Sequence, residues 1–194
     1  MGKDRFVILI SGTPGTGKTA IARVLKEKYS AFHLNLTDLA IEKGFILEED
    51  SDRQTKVIDE DKLVPFLENF IKTHPLNIII EGHYADIVPD ELTTVFIILR
   101  TDPHVLEQRL QERQFPSSKI RENIQSEVLG TCTSFALETH DRSKMYEVDT
   151  STTSLEETVK IIQNYIKNRP ASNVGEINWM QKLDAADKLM ELFQ

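Results

Sequence analysis

Cysteine is nearly absent: Cys132 is the only one among 194 residues. A disulfide framework and a multi-cysteine zinc site are thereby excluded, and a reducing compartment fits. Long apolar runs are missing too. The first, Phe6 to Ile10, is too short for a signal-peptide hydrophobic region, and none approaches the ~20 residues of a membrane span. No membrane role is expected. Positive charge is scarce: 23 Lys and Arg against 31 Asp and Glu give a formal net charge of −8. That speaks against a general nucleic-acid binder, which needs a net basic face to neutralise phosphates, but leaves room for a basic protein partner. Internal repeats and low-complexity tracts are also lacking. What is there, 40% hydrophobic and 28% charged residues, marks a globular chain rather than a disordered one. The length corresponds to about one domain with a small appendage. The expected location is the cytoplasm, with the nucleus as a compatible second.

Short apolar runs alternate with helical patterns. Phe6 to Ile10, Ile78 to Ile80 and Val95 to Leu99 are continuous and rich in β-branched residues, as strands buried on both faces of a parallel sheet are. Phe32 to Asn35 and Met145 to Val148 are weaker strand candidates. Helical spacing follows in Ile21, Val24 and Leu25, and in Leu63, Phe66, Leu67, Phe70 and Ile71, where Pro65 is tolerable near the helix start. Asp102-Pro103 reads as an N-cap with proline at N1. Ile120, Ile124, Val128 and Phe135 suggest one longer helix, and Ser154-Leu-Glu-Glu157 is a capping box. Repeated β–α alternation predicts a parallel, doubly wound α/β domain. Residues 44–62, polar and acidic, and 112–121, with Arg113, Lys119 and Arg121, are expected to be loop-rich insertions at strand ends. Past Arg169-Pro170 a tail carries Ile177, Trp179, Leu183, Ala186, Leu189, Met190 and Phe193. Its apolar stripe is expected to dock on its own domain.

Gly12-Thr-Pro-Gly-Thr-Gly17-Lys18-Thr19 fits G-x-x-x-x-G-K-[ST] at every defined position. Chance gives such a match in on the order of one random chain in a hundred. The preceding strand and following helix are the context the motif requires. Glycines let backbone N–H groups curl around a phosphate, and the helix N-terminus adds its positive end. Lys18 is expected to reach the β- and γ-phosphates and the Thr19 hydroxyl to ligate Mg²⁺. The chain is therefore read as a binder of a nucleoside triphosphate.

Glu81 and His83 follow the Ile78–Ile80 strand, where open α/β sheets place their ligands. There a carboxylate can hold Mg²⁺ through water, and a histidine can orient water or shuttle a proton. A capping glutamate and a surface histidine are the plainer alternative. Arg109 and Arg113, four apart on one helix face, suit a phosphoryl clamp, or a solvated face paired with Glu107 and Glu112. His33, His74, His104 and His140 show no ligand-like spacing.

The phosphate loop, Ile58-Asp-Glu-Asp61, Glu81-Gly-His83, Leu99-Arg-Thr-Asp102 and Asn123-Ile-Gln-Ser-Glu127 occur in this order. Together they resemble the atypical adenylate kinase 6 family, over about residues 6–168. The resemblance implies a P-loop kinase fold, a five-stranded parallel sheet flanked by helices, in a domain at 1–170. It implies an AMP-binding insertion at 35–58, a lid at 112–122 and a separate tail at 171–194. ATP would be held by Gly15, Gly17, Lys18, Thr19, Ala20 and the lid's Arg113. Glu81 and His83 match a Walker B-like Asp-x-His, with Glu in place of Asp. Human-like members have an arginine where this chain has Ile41; Lys43 and Arg53 are the candidate replacements at the AMP phosphate.

The implied activity is transfer from ATP·Mg²⁺ to AMP, giving two ADP, with slow ATP hydrolysis as a second activity. The implied partner is a basic protein, the eleventh of the small ribosomal subunit, within the pre-ribosome. Two alternatives stay open: an ATP-gated assembly factor with little kinase activity, and a small-molecule kinase with a hydroxyl acceptor.

Overall fold

The apolar runs form strands because a segment apolar on both sides is satisfied only between two covering layers. In chain order the computed structural model has β1 (Val7–Gly12), α1 (Lys18–Tyr29), β2 (Phe32–Asn35), α2 (Leu36–Lys43), β3 (Ile46–Asp50), β4 (Thr55–Ile58), α3 (Glu60–Thr73) and β5 (Ile78–Glu81). Then come β6 (Val95–Arg100), α4 (Pro103–Glu112), α5 (Ser117–Leu129), α6 (Thr131–Thr139), β7 (Met145–Asp149), α7 (Leu155–Asn168) and α8 (Trp179–Asp184). The structure describes residues 5–50 and 55–184. Three 3₁₀ turns lie at Ala85–Ile87, Asp90–Leu92 and Arg142–Lys144.

Five strands form one parallel sheet in the order β2-β5-β1-β6-β7, as the alternation predicts. Side chains alternate between the sheet faces. Val7, Leu9, Ile78, Ile80, Phe96 and Ile98 pack under α3 and α6 with Leu63, Leu67 and Ala136. Ile8, Ile10, Ile79, Ile97 and Leu99 pack under α1 and α7 with Leu25, Val159 and Ile162. The register sets Ile10 beside Glu81 and Asn35 beside Glu81. The carboxyl ends of β2, β5 and β1 therefore share one rim, where the sheet order reverses and ligands bind.

Three expectations need correcting. Residues 44–62 are not loop-rich: β3 and β4 form an antiparallel hairpin, with Ile46 opposite Ile58 and Glu48 opposite Val57. Phe45, Ile46 and Ile58 give it an apolar side against the α3 core, hidden in sequence by the acidic run Glu48-Glu49-Asp50 that follows. The single helix expected across 120–135 is two, because Gly130 takes φ +66° and ends α5 before α6 begins; left-handed backbone suits glycine. The loop expected at 112–121 is confined to residues 113–116, and α5 follows at once. Pro65 lies in the second turn of α3, on a face that is exposed, so the carbonyl it leaves unbonded meets water. Ser154 and Glu157 form both halves of the expected capping box. In the tail, Leu183 packs against Leu106, Leu110, Ile120 and Ile124; residues 185–194, including Ala186, Leu189, Met190 and Phe193, lie outside the described residues.

Candidate active site

The chain leaves β1 at Gly12, whose φ of +140° and close approach to β6 exclude any side chain: a Cβ there would lie 2.5 Å from the Leu99 carbonyl oxygen. The loop closes on itself, Thr16 N–H and Oγ1 both donating to the Thr13 carbonyl at 3.2 and 2.9 Å. Gly17, at φ +99°, starts α1 with no side-chain cap and no acidic residue in the first turn, so the first amides of the helix face outward, ready for an anion. Lys18 Nζ donates to the Gly12 and Thr13 carbonyls at 2.7 and 3.1 Å. Burial lowers its pKa from the ordinary value, and the Glu81 and Glu127 carboxylates act in the opposite sense. An ammonium held by two neutral carbonyls in a low-dielectric site is poised to exchange them for phosphate oxygens. Over this loop lies a cavity of about 210 Å³ lined by Lys18, Thr19, Ala20 and Arg113. Beside it, about 300 Å³ opens between Gly15, Gly17, Ile21, Arg109, Arg113 and Thr150.

Glu81 ends β5 and is fully buried. One carboxylate oxygen accepts from Thr19 Oγ1 at 3.0 Å. The other accepts from Asn35 Nδ2 and meets His33 Nε2, each at 3.2 Å. Burial alone raises its pKa; the hydrogen bonds from His33, Thr19 and Asn35 outweigh it and hold the carboxyl below its ordinary value. An ionised carboxylate against a threonine hydroxyl, next to the phosphate loop, is a hard-oxygen donor set that fits Mg²⁺. Among the described residues no group of three or more His, Cys, Asp or Glu could hold a metal; a magnesium ion here would take its remaining ligands from phosphate and water, as is usual for that ion.

His83 lines a third cavity, of about 570 Å³, with Thr13, Thr37, Tyr84, Phe115 and Lys119. Its ring meets the Tyr84 ring edge-on at 4.7 Å. The side chain keeps an exposed edge, but the protein packed around it, with the Lys18 and Lys119 cations, disfavours its charged form and lowers its pKa to about 4, so at neutral pH the imidazole is uncharged and a weak base. Arg109 is tied down, donating to the Thr150 carbonyl at 2.6 Å and to Thr150 Oγ1 at 3.2 Å. Arg113, at the C-cap of α4, borders both of the cavities beside the phosphate loop, of about 300 and 210 Å³.

The structure thus brings Gly15, Gly17, Lys18, Thr19, Ala20, Glu81, His83, Arg109 and Arg113 around one loop. It does not bring Lys43: that side chain pairs with Glu42 at 3.0 Å and lies 5.7 Å over the Phe66 ring. Its position follows from α2, which turns it toward α3 and away from the cleft. Arg53 lies outside the described residues. Lys56 and Lys119 are the lysines lining the large cavity. Sequence reasoning misses His33 and Asn35 as partners of Glu81. Their signal was the alternation of β2, which puts both on one face, but only the order β2-β5 reveals which carboxylate they meet.

A family model described as "AAA domain" matches residues 8–130. The protein named "Putative adenylate kinase" in Pyrococcus abyssi is 34% identical over 92% of this chain and 94% of its own length. The protein of the same name in Methanocaldococcus jannaschii is 32% identical, over 90% and 93%. Among solved structures, shikimate kinase from Bacteroides thetaiotaomicron matches with a TM-score of 0.57 at 20% identity, covering 84% of this chain and 98% of that one. That last likeness is one of fold alone.

Proposed function

Because this chain belongs to the AAA domain family, and to one family with the archaeal protein that matches 92% of its length, we propose that it is an ATP-dependent nucleoside monophosphate kinase that converts ATP and AMP to two ADP. The observation that carries this reading is the position of the phosphate loop as a common wall. Gly15, Gly17 and Arg113 face the nucleotide-side cavities, while Thr13 and Pro14 face the cavity of about 570 Å³. A donor on one side and an acceptor on the other meet at Lys18. An acceptor phosphate oxygen forms a bond to the γ-phosphorus as the bond to the β–γ bridging oxygen breaks, and both products are ADP. Lys18 and Arg113 neutralise the oxygens as charge moves. Thr19 and Glu81 would hold Mg²⁺, which supplies further charge neutralisation when bound.

The choice of acceptor follows from proton chemistry. A hydroxyl acceptor needs a base. Glu81 is engaged by three donors, and His83, with a pKa of about 4, is a poor base at pH 7. An AMP phosphate, with a second pKa of about 6, is already largely ionised and needs positioning only. We therefore expect ATP plus AMP to give ADP well above the rate of ATP hydrolysis alone. A coupled assay with AMP, other monophosphates and no acceptor checks this; a rate that no monophosphate raises sinks the kinase reading and leaves an ATPase. In the same assay His83→Gly is expected to reduce hydrolysis more than transfer, because only water has to be positioned by the imidazole lone pair. Equal losses would make His83 a purely structural residue.

A second reading, an ATP-gated assembly factor in the pre-ribosome, draws on the net charge of −8 and the acidic strand β3, where Glu48 is exposed. The partner is then the basic eleventh protein of the small subunit, met in the cytoplasm or nucleus. Micromolar or tighter binding that weakens with salt is expected. Neutralising Glu48, Glu49, Asp50 and Asp52 (the last outside the described residues) would slow association more than it speeds dissociation. Calorimetry at two salt concentrations tests it, and no binding at low salt removes the role.

A further inference from the structure

Thr13 is buried, and its hydroxyl donates to Glu127 Oε2 at 2.6 Å. Glu127, on α5, is buried as well. Its other oxygen accepts from Arg100 Nε at 2.8 Å, from Thr101 N–H at 3.0 Å and from the Trp179 indole N–H at 3.0 Å. Arg100 also donates to Glu147 Oε1 at 2.8 Å, so two carboxylates share one guanidinium. The C-terminal segment is fastened to the same cluster. Gly175 N–H donates to Glu147 Oε2 at 2.8 Å, and the Ile177 carbonyl accepts from Arg100 Nη1 at 3.3 Å. One side chain, Glu127, therefore holds the phosphate loop with one oxygen and the C-terminal segment with the other.

We propose that Glu127 is a positioning residue for the phosphate loop, and that Trp179, acting through it, couples the docking of residues 173–183 to occupancy of the nucleotide site. The inference rests on nucleotide binding at that loop. In the free chain the Gly12 and Thr13 carbonyls hold Lys18. A phosphate that draws the ammonium away leaves the Thr13 peptide to be held by Thr16 and, through its hydroxyl, by Glu127. These donors fix the direction of both carboxylate oxygens in a dry setting, so a missing donor leaves the carboxylate freer to turn away from Thr13. Removing the indole N–H loosens the grip on Thr13. By linkage, a bound nucleotide must tighten the segment by the same factor.

Trp179 is the only tryptophan in the chain, which makes the test direct. Calorimetry measures Mg·ADP binding, while intrinsic fluorescence and hydrogen exchange over 173–183 are followed with and without saturating Mg·ADP. A shift in tryptophan emission and exchange slowed about fivefold or more are expected. Thr13→Val should weaken ADP binding about tenfold and abolish the tryptophan response, since a charge-assisted hydrogen bond is lost; Thr13→Ser should restore both. Trp179→Phe, which keeps the ring, should raise KM for ATP more than it lowers kcat. If ADP binds while emission and exchange stay unchanged, or if Thr13→Val responds like the wild type, the coupling is overturned and the kinase reading stands. If ADP does not bind at all, both fall.

Discussion

Lys18→Ala is expected to lower kcat by about 10²–10³-fold, the usual effect of removing one donor from developing charge, and to weaken ATP binding about 10–100-fold. The domain should stay folded. Among the described residues Lys18 hydrogen-bonds two backbone carbonyls, those of Gly12 and Thr13, and burial opposes its charge, so alanine removes a cation that the fold does not need. Unfolding midpoints at or above the wild-type value are the expected stability result. Turnover near the wild-type rate would remove the phosphate loop from the chemistry.

Glu81→Gln comes next, with an expected loss of about 10²-fold or more in kcat and a raised requirement for Mg²⁺. The amide keeps the volume but not the pattern of acceptors. One carboxylate oxygen faces Thr19 and the other faces His33 and Asn35; an NH₂ group on either side confronts a donor. The pH dependence carries a sign that can be checked. Because the folded-state pKa of Glu81 lies below its ordinary value, the carboxylate stabilises the fold above about pH 4.5. That contribution disappears as pH falls through the folded-state pKa. Denaturant titrations from pH 7 down to pH 3 should therefore show a shallower acid loss for Glu81→Gln than for wild type. Parallel curves would contradict the assignment of a buried, ionised carboxylate.

Local signals were the legible ones. The phosphate loop is contiguous, so its spacing alone identifies it, and three of the five sheet strands, β1, β5 and β6, stand out because they are apolar on both faces, whereas β2 and β7 carry polar residues and signal more weakly. Asp102 as N-cap and Ser154 with Glu157 as a capping box are readable within four residues. The hairpin β3–β4 escaped because its polar face dominates composition, and the break at Gly130 because an apolar stripe runs through both helices. The partners of Glu81 were invisible for a different reason. His33 and Asn35 are 48 and 46 residues away in sequence, and only strand order brings them together. The cluster of Thr13, Arg100, Glu127, Glu147 and Trp179 is equally non-local, although two of the matched motifs contain Arg100 and Glu127.

The sheet order also fixes the timing of folding during synthesis. The first strand made, β1, is central and pairs with β5 and β6; β2, made next, pairs with β5. Until residues 78–81 leave the ribosome, the nascent chain can form helices and the β3–β4 hairpin but no pairing of the main sheet. The apolar strand Val7–Gly12 waits uncovered through roughly 70 residues of elongation, several seconds at typical rates. Closing loops of that length places the chain among slower-folding topologies and makes its N-terminal strand the segment most in need of a chaperone before β5 arrives.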